Sequence, residues 1–329
     1  MGIIGLGKMG ILHAGIVNQL PNTRVQAVCE KETLVTRIAK KFLPKGISYY
    51  EDHSEMARKE NLDAIFITTP IIAHTPIIVE LAELNPDISL FVEKPLADSA
   101  TSAERACNAA TKLHGIHTVG FQKRCLPLFQ KAKKLIDEKS IGDLMFFKAY
   151  SLSSDVLREG KSWRFKSESG GVLLDLAPHL LDLLLWLFGE VQPMSVVRRR
   201  VYSQMVDDYT HVVFKLESGL SGHMDACWSV LGFRLPETSI EIYGREGNIM
   251  LSDDELKVQH KDRSEGTQIF YNQSFDTSVP FLLASPEYTI EDQAFLGSTD
   301  KGLRPTPDFF EAAKVNVLID RIQAASEQK

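Results

Sequence analysis

The sequence predicts an α/β fold of two domains: an N-terminal doubly wound parallel sheet, then an α/β domain built on an open, mostly antiparallel sheet. Three observations predict it. The chain has 329 residues, room for about two domains. From the start to Phe121, short β-branched apolar runs alternate with longer helical stretches, as in parallel strands joined by crossover helices and buried on both faces. Beyond Phe121 the alternation gives way to β-rich runs separated by hairpin signals. The expected domains are 1–121 and 122–329.

In the first domain, strands are expected at Met1–Ile4, Val25–Glu30, Ile47–Tyr50, Ala64–Thr68, Ile88–Glu93 and Ile116–Phe121, with helices near 8–20, 32–42, 54–60, 73–85 and 99–114. The second domain opens with a helix near 127–139 and a strand near 144–153. A polar loop to Ser169 leads into a helix near 172–188, where Pro178 should kink the helix or mark a break. Strands follow, turning at Glu217-Ser218-Gly219, Gly244-Arg245-Glu246-Gly247 and Asp253-Asp254, and helices near 286–297 and 308–325 close the chain.

With 44% hydrophobic residues, 24% charged and a net charge of -6, the composition is that of a globular protein and excludes disorder, collagen and coiled coil. Charges are mixed along the whole chain, so nucleic acid is not an expected partner, and the Arg198-Arg199-Arg200 triplet reads as a solvated strand end. Cys29, Cys107, Cys125 and Cys227 are too few and too scattered for a disulfide framework or a zinc site, so no metal is expected and a cytoplasmic enzyme is. No apolar run reaches the roughly 18 residues of a membrane span, since Leu180–Phe188 is short and broken by Asp182. The apolar start carries five glycines and Lys8, unlike a signal peptide, and Leu6 stands where a myristoylation motif needs Ser or Thr.

The strongest local signal is Gly5-Leu6-Gly7-Lys8-Met9-Gly10, which follows a strand, opens a helix and is followed at the end of the next strand by Glu30. Gly5 permits the tight turn, Gly7 lets a pyrophosphate approach the backbone, Gly10 lets helix and strand pack closely, and the helix N-terminus favours negative charge. Glu30 suits a pair of ribose hydroxyls and repels a 2′-phosphate, so NAD is expected over NADP; Lys31 tempers that preference. A merely glycine-lined turn would not need the acid. Thr69, Pro70 and His74 follow the fourth strand, where they could line the path to the nicotinamide; the plainer reading is a Pro-stopped strand beside a surface histidine.

Glu93-Lys94-Pro95 ends an apolar central strand, where charged groups must be paired or used. Anywhere else it would read as a solvated pair. In the second half, Asp175, His179 and Asp182 fall at i, i+4 and i+7 on one helix face after Gly170-Gly171. A histidine flanked by carboxylates is oriented, has its pKa raised and suits general acid/base work; alternatively it is a buried histidine satisfied by its neighbours.

These motifs, with Gly120-Phe121-Gln122-Lys123-Arg124, together resemble the glucose-fructose oxidoreductase, inositol dehydrogenase and rhizopine catabolism (Gfo/Idh/MocA) family over about residues 1–325. The resemblance implies a Rossmann domain joined to an open-faced α/β domain, and oxidation or reduction of a sugar or cyclitol hydroxyl with NAD(P). By motif position it implies Lys94, Asp175 and His179 as the catalytic set. The cofactor would be held by Gly5, Leu6, Gly7, Lys8, Met9, Gly10, Glu30, Lys31, Thr69, Pro70, His74, Glu93 and Gln122, and substrate by Lys94, Arg124, Asp175 and His179. Two positions depart from the pattern: Ile71 stands where Asn often follows the Thr-Pro pair, and Cys125 where an aromatic or apolar residue usually follows the Arg. A homodimer or homotetramer is also implied.

Oxidising a secondary alcohol needs a base for the hydroxyl proton and a cation near the oxygen. His179 is read as the proton acceptor, Lys94 as the cation and Asp175 as the group that orients the histidine or grips a neighbouring hydroxyl, with the choice between Lys94 and His179 as base left open. Trp163, with Arg164 beside it, could stack on a sugar face. Two other readings keep the dinucleotide domain: a non-catalytic sensor or regulator, which would have no need of Lys94, Asp175 and His179 together, and a hydrolase or lyase in which NAD returns to its starting redox state.

Overall fold

The computed structural model describes residues 1–160, 165, 170–262, 266–271, 285–301 and 306–327. They form two compact units. The first contains six parallel strands: β1 (Gly2–Ile4), β2 (Ala27–Cys29), β3 (Ser48–Tyr50), β4 (Ala64–Ile67), β5 (Ser89–Glu93) and β6 (His117–Gly120), in the order β3-β2-β1-β4-β5-β6. Order reverses between β1 and β4, so this is a doubly wound sheet with its switch point beside the glycine turn. Every residue of β1, β2, β4 and β5 is buried, as the near-continuous apolar runs require when helices cover both faces.

The helices between these strands are α1 (Lys8–Val17), α2 (Thr33–Phe42), α3 (His53–Lys59), α4 (His74–Leu84) and α5 (Ala100–Ala110). Two are started by side chains the sequence supplies at the N-cap: Asp52 accepts the Glu55 N–H at 2.7 Å, and Ser99 accepts the Ser102 N–H at 3.2 Å. Phe66 and Phe91 pack 4.9 Å apart at the centre of the core.

Residues 122–329 do not form one uninterrupted domain. The first unit takes in 273–316 as well as 1–122, because helix α9 (Pro286–Lys301) buries Phe295 and Leu296 in the same core as Ile3, Phe66 and Phe91. Phe295 sets its ring edge-on to both phenylalanines, at 5.4 and 5.7 Å. Such a side chain contributes about 1.5–3 kcal/mol by burial, enough to bring a distant segment back.

The second unit opens with α6 (Pro127–Asp137), whose Pro sits in the first turn, where its missing N–H costs nothing. Its sheet has eight strands: β7 (Leu144–Leu152), β8 (Gln192–Arg199), β9 (Tyr209–Lys215), β10 (Ser221–Cys227), β11 (Glu237–Gly244), β12 (Gly247–Ser252), β13 (Glu255–His260) and β14 (Thr267–Phe270). The order is β14-β13-β12-β11-β7-β10-β9-β8, and only β7 with β10 is parallel. All three expected turns join antiparallel neighbours, and Gly219, at φ +88°, supplies the left-handed residue of the first.

Alternate residues of β7, β10 and β11 face a core under α8 (Ala177–Phe188), where Phe188 stacks on Phe147 at 4.8 Å. The other face carries Tyr150 bonded to Glu237 at 2.7 Å, Tyr209 bonded to Asp225 at 2.6 Å, and Phe146 stacked on Tyr243 at 4.4 Å. Helix α10 (Phe309–Glu327) ends the described chain. No helix among the described residues is long and apolar enough to cross a membrane.

Candidate active site

Pairing of Ile4 with Ile67 and of Ile67 with Val92 aligns the ends of β1, β4 and β5, so Gly5, Thr68 and Glu93 share the carboxyl edge of the first sheet. Gly5 has φ +91°, and a Cβ there would press on the Thr68 carbonyl at 3.0 Å. At Gly10 a Cβ would lie 1.9 Å from the Gly5 carbonyl oxygen, so only glycine lets α1 start this close to β1. A Cβ on Gly7 would meet nothing within 4 Å: the space above the turn is open.

The N-cap of α1, Gly7, provides no side-chain cap, and the first turn carries no acid, so the first amides face that space without a carboxylate competitor. Glu30 closes the turn from the side, its carboxylate accepting the Leu6 N–H at 2.7 Å and the Glu32 N–H at 2.9 Å. Each oxygen retains acceptor capacity for a ribose hydroxyl. A dinucleotide fits this turn: bare amides for pyrophosphate, an acid for the ribose and no side chain in between. Lys8 and Lys31 are exposed at its rim, and Met9 is half-buried.

At the next strand end, Thr68 Oγ1 donates to the Gly5 carbonyl at 2.7 Å and locks the turn to β4. Thr69 Oγ1 is buried without a hydrogen-bond partner among the described residues, a polar atom left for a ligand at the crevice edge. Pro70 is exposed. His74 is not at the surface: it is buried, with Nε2 on the Thr69 carbonyl at 3.0 Å and Nδ1 on the Pro95 carbonyl at 3.1 Å. Burial pushes its pKa below the ordinary value despite these carbonyls. Its side chain braces the two turns that present Thr69 and Lys94.

Glu93, the last residue of β5, is buried and belongs to a charged cluster assembled from three elements. His13 of α1 is fully buried between Phe66 and Phe91, with ring centroids at 5.4 and 5.0 Å. Its Nδ1 donates to Asp292 of α9 at 2.8 and 3.0 Å, and its Nε2 to Glu93 at 3.0 Å. Burial opposes charge on His13, but Asp292 and Glu93 outweigh it and hold the pKa well above the ordinary value, so His13 is an imidazolium. Burial likewise opposes the Glu93 carboxylate, and His13 and Lys94 outweigh it. The second Glu93 oxygen accepts the Lys94 N–H at 3.1 Å, and the peptide that follows, Lys94–Pro95, is cis. Gln122, buried just past β6, donates to the Tyr288 hydroxyl at 3.3 Å.

Beside this cluster, burial and then the Glu93 and Asp292 charges push the Glu291 carboxyl well above its ordinary range, and its Oε2 has no partner among the described residues. A carboxyl with a raised folded pKa loses stability as pH climbs from the unfolded value through the folded one. Glu291→Gln is therefore expected to raise Tm at pH 8.5 by about 2–4 °C and to change it little near pH 4. Thermal melts at the two pH values check this; an equal shift at both would show that charge is not the cause.

In the second unit, Gly170 and Gly171 both adopt left-handed backbone, at φ +67° and +71°. A Cβ on Gly171 would lie 2.9 Å from the Asp207 carbonyl oxygen, and Val172 N–H donates to that oxygen at 2.9 Å. This anchors α7 (Val172–Asp175), which breaks at Leu176 before α8 begins with Pro178 in its first turn. The expected helix over 172–188 is thus two, broken at the proline. Asp175 and His179 are both half-buried, one on each side of the break.

Asp182 lies one turn on from His179 in α8, and what the spacing did not show is its bond to a distant residue. It is fully buried and takes the Arg124 guanidinium on both oxygens, at 2.7 and 2.7 Å, while the Trp186 ring lies 5.7 Å from that cation. Arg124 is likewise buried. Trp163 and Arg164 lie outside the described residues. Among the described residues no cluster of His, Cys, Asp and Glu is arranged to hold a metal ion.

The histidine–carboxylate cluster is the part of the site that sequence reasoning missed. His13 and Asp292 are 279 residues apart, and the one local signal was a histidine on the apolar side of α1, following Gly10 by three positions.

Residues 1–121 match the family model described as "Oxidoreductase family, NAD-binding Rossmann fold", and residues 129–250 match the "GFO/IDH/MocA C-terminal domain". The chain is 28% identical to scyllo-inositol 2-dehydrogenase (NAD(+)) of Bacillus subtilis, over 78% of this chain and 74% of that protein. It is 25% identical to myo-inositol 2-dehydrogenase of Thermotoga maritima, over 76% of this chain and 74% of that one. Its fold matches levoglucosan dehydrogenase in complex with NADH and levoglucosan at a TM-score of 0.85 and 24% identity, over 99% of this chain and 96% of the other.

Proposed function

Since the chain belongs to the Gfo/Idh/MocA family of NAD(P)-dependent dehydrogenases, we propose that it oxidises a secondary hydroxyl of a sugar or cyclitol, with Lys94, Asp175 and His179 as its working side chains. The observation that carries this reading is the shared sheet edge: the glycine turn with its open amides, and Lys94 held directly after the buried strand β5 by the Glu93 carboxylate. NAD, when bound, supplies the hydride acceptor. Loss of hydride from carbon builds carbonyl character while the hydroxyl gives up its proton, so the oxygen passes through alkoxide character. The Lys94 ammonium stabilises that charge, His179 accepts the proton, and Asp175 orients the histidine or grips a neighbouring hydroxyl. The inositol and levoglucosan dehydrogenases similar to this chain support the substrate class.

Glu30 selects the cofactor, because a 2′-phosphate would meet a carboxylate already fixed by two amides. Glu30→Ser is expected to raise KM for NAD roughly tenfold, the worth of a hydrogen bond to a charged group, and to narrow the NAD preference over NADP. Unchanged KM values for both cofactors would remove Glu30 from the ribose site. The half-exposed face of the second sheet, with Phe146 and Tyr243, supports a homodimer or homotetramer.

The test of the function is turnover of purified protein with NAD or NADP across cyclitols, aldoses, anhydrosugars, hexuronates and nucleotide sugars, read as reduced-cofactor absorbance. Reduced cofactor with one class establishes the substrate class. Tight NAD binding without turnover on any of them overturns the dehydrogenase reading in favour of a sensor or a closed redox cycle.

A further inference from the structure

The arginine triplet at the end of β8 is more than a solvated strand end. With Val196, Val197, Asp207 and Ser326 it lines a cavity of about 340 Å³ at the edge of the second sheet, where the last turn of α10 meets β8. All of these residues belong to the second unit. Arg198 is half-buried, pairs through Nη2 with the buried Asp207 carboxylate and donates from Nη1 to the Ser326 hydroxyl at 3.2 Å. Its Nε is buried without a hydrogen-bond partner among the described residues, an orphan donor of the kind that a bound ion or its water completes. Arg200 donates from Nη1 to the Gln204 carbonyl at 3.1 Å, and its Nε stands 4.0 Å from the same Asp207 carboxylate. Arg199 and Arg200 are exposed. A guanidinium stays charged in proteins and carries five donors in a fixed fork. Three of them therefore line this cavity against the one carboxylate that does so among the described residues. Tying the end of α10 to the sheet explains Arg198 alone. It gives no reason for two further guanidiniums at the same opening, where like charges repel.

We infer that this cavity is a second binding site, for a small phosphate monoester, with Arg198, Arg199 and Arg200 as its anion-holding groups. The donor set selects the class of ligand. A planar carboxylate is satisfied by one guanidinium fork, whereas a tetrahedral dianion offers several oxygen edges that convergent forks can share. The volume reaches the roughly 300 Å³ at which small-molecule pockets begin, more than a phosphate group fills by itself. An ester with a small organic portion therefore suits the cavity better than the free ion, and Val196 and Val197 line it beside the cations. A nucleic acid or an anionic membrane would call for an extended basic face. The net charge of -6, with both signs mixed along the chain, speaks against one. Asp207 does not fill the site: by pairing with Arg198 and approaching Arg200 it gathers two cations at one wall before any ligand arrives.

The test is isothermal titration of the full-length protein, saturated with NADH so that the glycine turn is already filled. The probes are glycerol phosphate, glucose-6-phosphate and inorganic phosphate at constant ionic strength, with glycerol and glucose as controls that lack the anion. Both esters are expected to saturate one site with Kd below about 1 mM, and inorganic phosphate to bind at least about threefold more weakly for want of the organic portion. Arg199→Gln and Arg200→Gln should each weaken the esters by about tenfold, the effect of one charge-assisted hydrogen bond, with NADH affinity unchanged. Arg198→Gln should weaken them as much, but it also cuts the tie to Ser326 and Asp207. Should that variant fail to fold, the Arg199→Gln/Arg200→Gln double variant decides, since both side chains are exposed and the fold does not depend on them. No saturation by either ester below about 10 mM, or an unchanged Kd in the double variant, overturns the proposal. Inorganic phosphate binding as tightly as the esters overturns the choice of an ester, and glucose binding as tightly as its phosphate overturns the anion site. Titration needs no turnover, so the result stands apart from the sugar or cyclitol assignment.

Discussion

Lys94→Ala is expected to lower kcat by about 10³-fold, the range seen when one preorganised group that stabilises developing charge is deleted, equivalent to roughly 4 kcal/mol. The fold should persist, because Lys94 is half-buried and its structural bond to Glu93 is made by the backbone N–H, which alanine keeps. NADH affinity, read by its fluorescence, should change less than about threefold, since the glycine turn and Glu30 are untouched. Combined loss of kcat and retained NADH binding would place Lys94 at the reacting oxygen. A rise in KM with kcat intact would instead make it a binding group and move the alkoxide-stabilising role elsewhere.

Gly10→Ala is the second large effect. The added methyl would sit 1.9 Å from the Gly5 oxygen and 2.8 Å from Thr68 Oγ1, and the first of these is backbone that cannot step aside without moving β1 from α1. A forced shift of packed backbone costs more than the roughly 1–3 kcal/mol of ordinary overpacking, so the variant is expected to lose at least about 10 °C in Tm or to fail to fold. Gly7→Ala is the control: its methyl meets no protein atom within 4 Å, so Tm should stay within about 2 °C while NAD affinity falls. Equal losses of stability in the two variants would show that the turn is not built as described. The contrast separates a glycine needed by the fold from one needed by the ligand.

The strand–helix alternation made the first sheet readable because buried parallel strands are largely apolar: β1 and β4 are so throughout, and β5 is so from Leu90 to Val92. The glycine turn was readable for the same kind of reason: every part of it lies within six consecutive residues and one acid at the next strand end. Pro178 announced the break between α7 and α8 because its effect is local. Interactions between distant segments left no such trace. Helical spacing put Asp182 on the face of His179, and only the fold shows that Arg124 bonds it; His74 looked like a surface residue until Pro95 supplied the second carbonyl. The return of α9 to the first core was invisible, since its apolar residues suit any core.

That return orders events during synthesis. The first unit needs Phe295 and Leu296 for its core and Asp292 for the His13 charge, yet these residues are made well after the whole six-stranded sheet has been translated. A nascent chain ending at Gln122 has every strand of its sheet and an incomplete interior, with a buried imidazole short of one carboxylate. Residues 123–272 emerge with all eight strands of their own sheet already present, and this unit in turn takes in residues 317–329. The half of the molecule made first waits across the longer stretch of chain for its missing segment, so the newly made dinucleotide-binding half is the one exposed longer with an unfilled core during elongation.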